Sequence, residues 1–454
     1  IEEYSKDNFL NGFKKAVREL EGSYALAVIS TKADGIYLAR KSSPLVIGIG
    51  KGEMFCASDI PALLDHTRSV IFLDDEEITV LTKDGAMVYD KSDKQVEKKA
   101  YQVDWTADMA MKEGYEHFML KEIEEQRNTV RQSLTNDDEI HEAVRLMKQY
   151  KKFQVVASGT SYYAGLVLKF LIQKLAKVPC EAIIGSEYPY ATVVDKDTLV
   201  IAISQSGETA DTLRAVKEAK KFGAKILAVT NVVGSTLTRE ADKTVYMRAG
   251  PEISVVATKT YTSQLAVLSH LVFKFINHQE LDEKLKEVWE IVEQALTKDK
   301  EIQEVAKKLK NLNNFFFIGR GIDFPTALEG ALKLKEITYL HAEGYPGGEL
   351  KHGPLSLLEK NVPVIAIVSS KETQDKMVGN IKECKARGAL LIGISNNDEL
   401  LEHVDIKIKM PEVHPLMAPI IYAIPVQLLA YYIAVLNGKD PDKPRNLAKS
   451  LTVE

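Results

Sequence analysis

The sequence repeats itself, and this constrains the fold more than any other feature. Phe315-Phe-Phe-Ile-Gly319 echoes Gln154–Gly159, with Gly319 lying 160 positions after Gly159. Val364-Ile-Ala-Ile-Val-Ser-Ser-Lys-Glu-Thr373 echoes Val200-Ile-Ala-Ile-Ser-Gln-Ser-Gly-Glu-Thr209 at 164 positions. Lys382–Ala389 echoes Lys217–Ala224 at 165, and Asp405 matches Asp242 at 163. Drift this small is what loop insertions leave behind in a duplicated unit. Within the first copy, short β-branched runs alternate with helical periodicity. Strands are expected at Val155–Ala157, Glu181–Ile184, Leu199–Ile203, Ile226–Thr230 and Lys243–Met247, with helices at 162–176, 210–222 and about 258–278. Alternation of this kind builds a parallel sheet covered by helices on both faces. The fold class is therefore α/β: two tandem doubly wound domains, at 111–280 and 281–437.

The turns after two of these strands carry the first sign of chemistry. Ser204-Gln205-Ser206-Gly207-Glu208-Thr209 joins a strand to a helix, and so does Ser158-Gly159-Thr160-Ser161. A helix N-terminus offers unpaired N–H groups and partial positive charge. Ser204, Ser206 and Thr209 add hydroxyls, and Gly207 lets the backbone come close. A phosphate fits there without Lys or Arg; the bland alternative is simple helix capping. Two such turns on neighbouring strands would face one crevice, where open α/β sheets bind ligands. In the second copy Lys371 replaces Gly207 and Ser369 replaces Gln205, so the turn is intact only in the first.

The second copy carries something else. Its first helix, Phe324–Leu340, places Glu329, Lys333 and Glu336 at i, i+4 and i+7, one face. A Gly/Pro-rich loop follows with Glu349, Lys351 and His352. Each alone reads as a solvated salt-bridge stripe or a surface histidine. Together they form a carboxylate, amine and imidazole set suited to moving protons between adjacent carbons.

The remainder frames these copies. Residues 1–100 hold one amphipathic helix and a series of short strands with close turns, a mainly antiparallel unit. Residues 101–110 read as a linker, and helices follow at 117–130 and 138–150. The Pro-rich polar tail, 438–454, is either a disordered end or a strap that brings Lys449 to the crevice. Net charge is −5 with no long run of one sign, which argues against nucleic acid as a partner. Cys56, Cys180 and Cys384 have no metal-ligand or disulfide spacing and are expected buried and inert. No apolar run is expected to reach the ~18 residues a membrane span needs, and no signal peptide opens the chain, so a cytoplasmic location is expected.

With these motifs in view, the chain resembles the glutamine–fructose-6-phosphate aminotransferase family, also called glucosamine-6-phosphate synthase. The resemblance covers essentially the whole chain. It is carried by Ser158–Ser161, Ser204–Thr209, Thr258–Gln264, Leu328–Glu336, Gly348–Pro354 and Pro444–Glu454. It implies that Ser161, Ser204, Gln205, Ser206 and Thr209 hold the phosphate of fructose 6-phosphate, with Val255 and Ala448 near the sugar. It implies that Lys449 attacks the ketone C2 as a Schiff-base nucleophile. Ammonia then displaces the lysine, and Glu336 moves the proton between C1 and C2 to give glucosamine 6-phosphate, the entry to UDP-N-acetylglucosamine. Lys333 and Glu329 support Glu336. His352 assists ring opening from the neighbouring subunit of a homodimer. No metal or organic cofactor is implied.

The family also has an N-terminal glutaminase domain with a cysteine nucleophile, and residues 1–100 resemble only its later part. Ile1 stands first and no cysteine precedes Cys56. A polypeptide beginning there would be expected to use free ammonia; one with the front in place, glutamine. Two rivals remain at this point: an ammonia-dependent deaminase or sugar-amine deglycase on the same frame, and a non-catalytic phosphosugar sensor.

Overall fold

The computed structural model describes residues 1–449. The expected terminal motif runs on through Ser450–Glu454, which lie outside the described residues. The first unit opens with α1 (Phe9–Arg18) and continues as nine short strands. These are β1 (Tyr24–Ser30), β2 (Ala33–Lys41), β3 (Val46–Ile49), β4 (Met54–Ala57), β5 (Ser69–Phe72), β6 (Ile78–Thr82), β7 (Gly85–Tyr89), β8 (Gln95–Val96) and β9 (Tyr101–Gln102). They form two antiparallel sheets, ordered β1-β2-β6-β7-β8 and β4-β3-β5-β9. Pairing of β9 with β5 carries the sheet into the stretch expected to be a linker. Cys56, on β4, is half-buried rather than buried, while Cys180 and Cys384 are fully buried.

Helices α2 (Phe118–Glu124), α3 (Gln126–Ser133) and α4 (Asp137–Met147) lead into the first repeat. Its elements are β10 (Phe153–Ala157), α5 (Gly159–Leu171), β11 (Cys180–Ile184), α6 (Tyr188–Ala191), β12 (Leu199–Ser204), α7 (Ala210–Lys221), β13 (Lys225–Thr230), α8 (Thr236–Glu240), β14 (Lys243–Tyr246) and α9 (Lys259–Phe275). Three connecting helices follow: α10 (Gln279–Lys286), α11 (Val288–Leu296) and α12 (Asp299–Leu309). The second repeat comprises β15 (Phe315–Gly319), α13 (Phe324–Thr338), β16 (Ala342–Pro346), β17 (Pro363–Val368), α14 (Lys371–Lys385), β18 (Leu390–Ser395), α15 (Asp398–Leu401), β19 (Ile406–Lys409) and α16 (Ala418–Leu436).

The two parallel sheets have the same strand order, β11-β10-β12-β13-β14 and β16-β15-β17-β18-β19. Every residue of β10, β12, β15 and β17 is buried, because helices cover both faces. In the first sheet the chain goes from β10 to β11 on one side and returns to β12 on the other. The crevice between the C-terminal ends of β10 and β12 is therefore the topological switch point. Both predicted Ser-rich turns open onto it.

One helix exceeds the sequence-based expectation. The segment Pro415–Leu436, with hydropathy 1.8, is long and apolar enough to cross a membrane. Yet 89% of that apolar window is buried inside the molecule. It is apolar all round because it is surrounded on all sides: α16 packs against α13, α12, α11, α9 and α2. Its contact with α13 is close. A Cβ on Gly330 would stand 2.8 Å from the Phe317 ring and 3.1 Å from Val426 Cβ. We expect Gly330→Val to overpack this seam and cost about 1–3 kcal/mol. A fall in the urea midpoint with an unchanged m-value would show it.

Candidate functional site

The turn after β12 is a preorganised cradle. Gly207 has φ +68°, and a Cβ there would meet Ser235 Oγ at 2.1 Å, so both conformation and space require glycine. Ser204 is nearly buried and holds the turn together. Its oxygen accepts the Gly207 N–H at 3.0 Å and lies 3.0 Å from Thr209 Oγ1. Ser206 Oγ accepts from the Glu208 N–H at 3.1 Å, which leaves its own proton to donate. Glu208 is held by the N-terminus of α8. It accepts from Thr236 N and Oγ1 at 2.7 and 2.8 Å and lies 4.0 Å from Arg40 of the first unit. On the other side, Gly159 begins α5 with φ +55°, and Ser161 Oγ accepts from Gln264 Nε2 of α9 at 3.0 Å.

Thr160, in the same turn, reaches into the second repeat. Lys333 Nζ donates to Thr160 Oγ1 at 2.9 Å, and that hydroxyl donates to Glu329 Oε1 at 3.3 Å. Lys333 also lies 3.3 Å from Glu329 and 2.8 Å from Glu336. This stripe is not solvated: the Glu329 and Lys333 side chains are 0% and 1% exposed, and Glu336 is 22% exposed. Helix α13 packs its apolar positions on β15 and α16, and its charged face meets α5. Burial pushes Glu329 up to about 7; Lys333 opposes that, and Glu336 adds to it. Burial would lower Lys333, but the two carboxylates outweigh it and hold the amine as an ammonium. Tyr163, one turn along α5, is pushed up to about 12 by burial and then by the Glu329 charge. The result is a partly exposed carboxylate, Glu336, held by a buried cation at the mouth of the crevice. Such a group can accept and return a proton.

The tail folds over the same region. Asp442 caps α2, accepting from Phe118 N and Met119 N, both at 2.8 Å, and its carbonyl accepts from Val255 N at 3.1 Å. Arg445 stacks over the Tyr339 ring at 4.2 Å and donates its N–H to Tyr339 Oη at 2.9 Å. Tyr339 is the left-handed cap of α13, so the tail is pinned to both repeats. Lys449 then lies 2.7 Å from Glu252. Gln205, Ser206, Glu252 and Lys449 line one cleft, together with Arg40 and Trp105. Ala448 is exposed beside Lys449.

Of the residues singled out from sequence, the structure joins Glu329, Lys333 and Glu336 directly, and Ser204, Ser206 and Thr209 within one turn. It sets Lys449 beside Gln205 and Ser206 in the cleft and draws Val255 against the tail. His352 ends a 3-10 turn, Gly347–His352, with its side chain exposed and no hydrogen bond or ion pair among the described residues. Sequence reading missed Thr160, Gln264 and Glu252 as individual contributors. Helix α9 links two of them: Thr260 bonds Glu252, and Gln264, one turn on, bonds Ser161. Glu252 left only a faint signal, an acid just before a helix start.

The second repeat keeps the same turn and fills it from within. Ser369 N donates to Asp323 Oδ2 at 3.0 Å and Ser369 Oγ to Asp323 Oδ1, so a carboxylate occupies the position of an anion. Burial pushes Asp323 up to about 6, against the pull of these Ser369 bonds.

Comparison with known proteins agrees with this duplicated architecture. The SIS domain family matches residues 146–274 and 308–437. A glutamine–fructose-6-phosphate aminotransferase [isomerizing] from Thermococcus kodakarensis is 53% identical over 100% of this chain and 78% of its own length. The structure of the C-terminal domain of glucosamine-fructose-6-phosphate aminotransferase from Francisella tularensis has a TM-score of 0.69 at 40% identity. It covers 73% of this chain and 100% of that one. A glucosamine-6-phosphate deaminase from Thermotoga maritima, TM-score 0.61 over 74% of this chain and 99% of its own, shares the fold at 24% identity.

The Asp323 site has a stability consequence. A folded-state value of about 6 against 3.8 when unfolded means the folded chain keeps a proton that the unfolded chain releases. That stabilisation is full below pH 3.8 and is lost as pH rises through about 6. Asp323→Asn is expected to remove the loss. Urea midpoints of the two chains at pH 4 and pH 7 should then differ in slope by on the order of 2–3 kcal/mol; parallel curves would refute it.

Proposed function

The chain belongs to the glutamine–fructose-6-phosphate aminotransferase [isomerizing] family, and from that premise we propose that it converts fructose 6-phosphate to glucosamine 6-phosphate. The observation that carries this reading is the contact of Thr160, in the Ser-rich turn of one repeat, with Lys333 and Glu329 of the other. It supports the reading by bringing the Ser-rich turn of one repeat against the Glu/Lys/Glu face of the other.

In this reading the sugar phosphate sits on the N-terminus of α7 and takes donors from Ser161, Gln205, Ser206 and Thr209, within a turn braced by Ser204. Val255 and Ala448 flank the carbon chain. Lys449 forms an imine at C2, and ammonia attacks that carbon and releases the lysine. Glu336 then takes the proton from C1 and returns it to C2, turning the ketose imine into the amino aldose. Lys333 keeps Glu336 oriented. Glu329, whose carboxyl burial pushes up, balances the buried ammonium. His352 opens the sugar ring in a second copy of the chain, which fits its exposure on a loop that also exposes Leu357. A homodimer follows from that role. The nitrogen comes from glutamine where the preceding amidotransferase segment is present and from ammonia otherwise. The domain limits of this reading are 1–100 for the glutaminase-type unit, 111–280 and 281–437 for the repeats, and 438–454 for the tail. The rival deaminase shares with this chain, on present grounds, only the fold.

Borohydride added with fructose 6-phosphate is expected to label Lys449, as read by peptide mass; label elsewhere, or none, would end the imine role. Glu336→Gln is expected to bind fructose 6-phosphate within a few-fold of the unsubstituted chain, yet lose about 100-fold or more in amino-sugar formation. Ser206→Ala removes one donor, so it is expected to weaken fructose 6-phosphate binding by about 1–3 kcal/mol, measured by calorimetry.

A further inference from the structure

The imine reading, on which this inference rests, leaves a question of protons. Nucleophilic attack needs a neutral amine, but Lys449 Nζ lies 2.7 Å from a carboxylate in an ion pair. Converting a lysine ammonium and a ketone to a protonated imine removes two protons from nitrogen. The carbonyl oxygen leaves as water carrying two protons. The balance closes with no outside acid or base, provided that something carries both protons from nitrogen to oxygen.

We propose that Glu252 is that carrier, taking protons from the Lys449 nitrogen and delivering them to the substrate oxygen. The Glu252 carboxylate takes the first proton as the nitrogen lone pair attacks C2 and the carbonyl π pair moves to oxygen. It returns that proton to the oxygen. It then takes the second proton from nitrogen and delivers it as the C–O bond breaks and C=N forms. Glu252 ends as it began, a carboxylate.

The surroundings suit the task. The Glu252 side chain is fully buried. One oxygen, Oε1, is fixed by Thr258 N at 2.9 Å and Thr260 N at 3.1 Å. The other, Oε2, faces Lys449 and accepts from Thr260 Oγ1 at 2.9 Å. One oxygen is thus an anchor and the other is aimed at the amine. Burial would raise this carboxyl, but the Lys449 charge and hydrogen bond, followed by the Thr258 and Thr260 N–H groups, hold it low. The largest of those opposing effects belong to Lys449 and vanish once the nitrogen is neutral. Burial then makes the carboxylate a better base at the moment it must hold a proton.

Other charged groups around Glu252 leave this exchange undisturbed. Glu122 of α2 is anchored through Oε1 to Ile253 N and Ser254 N, while its Oε2 is buried without a hydrogen-bond partner among the described residues. Burial and then the Glu252 charge push Glu122 up to about 8, which favours Glu252 as the charged partner of Lys449. Lys259 of α9 is turned to Glu125 at 2.6 Å, and Lys121 of α2 lies 3.4 Å from the same carboxylate.

The test is the rate of borohydride labelling of the full chain by saturating fructose 6-phosphate. Glu252→Gln keeps the anchored oxygen and the shape but cannot carry a proton. Its labelling at Lys449 is expected to slow by about 100-fold, with fructose 6-phosphate affinity within about threefold. If Glu252 merely held the ammonium in place, its loss would free the amine, and labelling at or above the unsubstituted rate overturns the proposal. Should the variant fail to bind sugar, the unsubstituted chain decides. An internal carrier predicts a labelling rate nearly flat from pH 6 to pH 8; a tenfold rise per pH unit would mean that solvent removes the proton, and overturns it. Absence of Lys449 label in the unsubstituted chain removes the imine and this inference together, whereas full-rate labelling in Glu252→Gln removes the carrier alone.

Discussion

A buried ammonium holds this structure's working parts in register. Lys333 sits between Glu329, Glu336 and Thr160, almost wholly out of water. An isolated charge there would cost several kcal/mol. It is tolerated because two acids and a hydroxyl surround it. One of those partners belongs to the other repeat, so the contact fixes how the two copies meet. The helices that touch are equivalents: α5 follows the first strand of its repeat, and α13 follows the first strand of its own. Duplication supplied two matching helices, and divergence gave one a Ser-rich N-terminal turn and the other a Glu/Lys/Glu face.

The fate of the second cradle follows from the same economy of charge. Strand order and turn position are preserved in both sheets. In the second, Asp323 comes from the loop before α13 and accepts the Ser369 donors that would otherwise meet a ligand. An internal carboxylate satisfies those donors permanently. The crevice keeps its architecture, and the N–H and hydroxyl of Ser369 are spoken for. Loss of glycine at Lys371 is thus one half of the divergence, and an acid supplied from within is the other.

The tail turns these two repeats into one site. It is irregular in conformation but well anchored, capping α2 with Asp442, stacking Arg445 on Tyr339 and ending against Glu252. Each anchor uses a backbone group or ring that the folded repeats already present. Lys449 is thereby delivered to a cleft whose other walls come from the Ser-rich turn after β12 and from the antiparallel unit. That unit is attached by ion pairs such as Arg239–Asp74 and by Arg40, which reaches toward Glu208.

Much of this was legible in the residues alone. The 160–165 spacing fixed two copies of one α/β unit, since a repeat must bury its apolar faces the same way twice. Local rules placed the strands, the Ser-rich turns and the i, i+4, i+7 face of α13, because period and turn chemistry act over a few residues. What only the tertiary structure decided is burial and partnership between distant segments. A Glu/Lys/Glu stripe looks the same in sequence whether it faces water or another helix; here it faces α5. The apolar run of α16 became the central core helix because five helices surround it. Glu252 and Lys449 lie almost two hundred residues apart, so no local pattern could pair them. Their meeting depends on where a loop of one repeat and the chain's tail are carried by everything packed between.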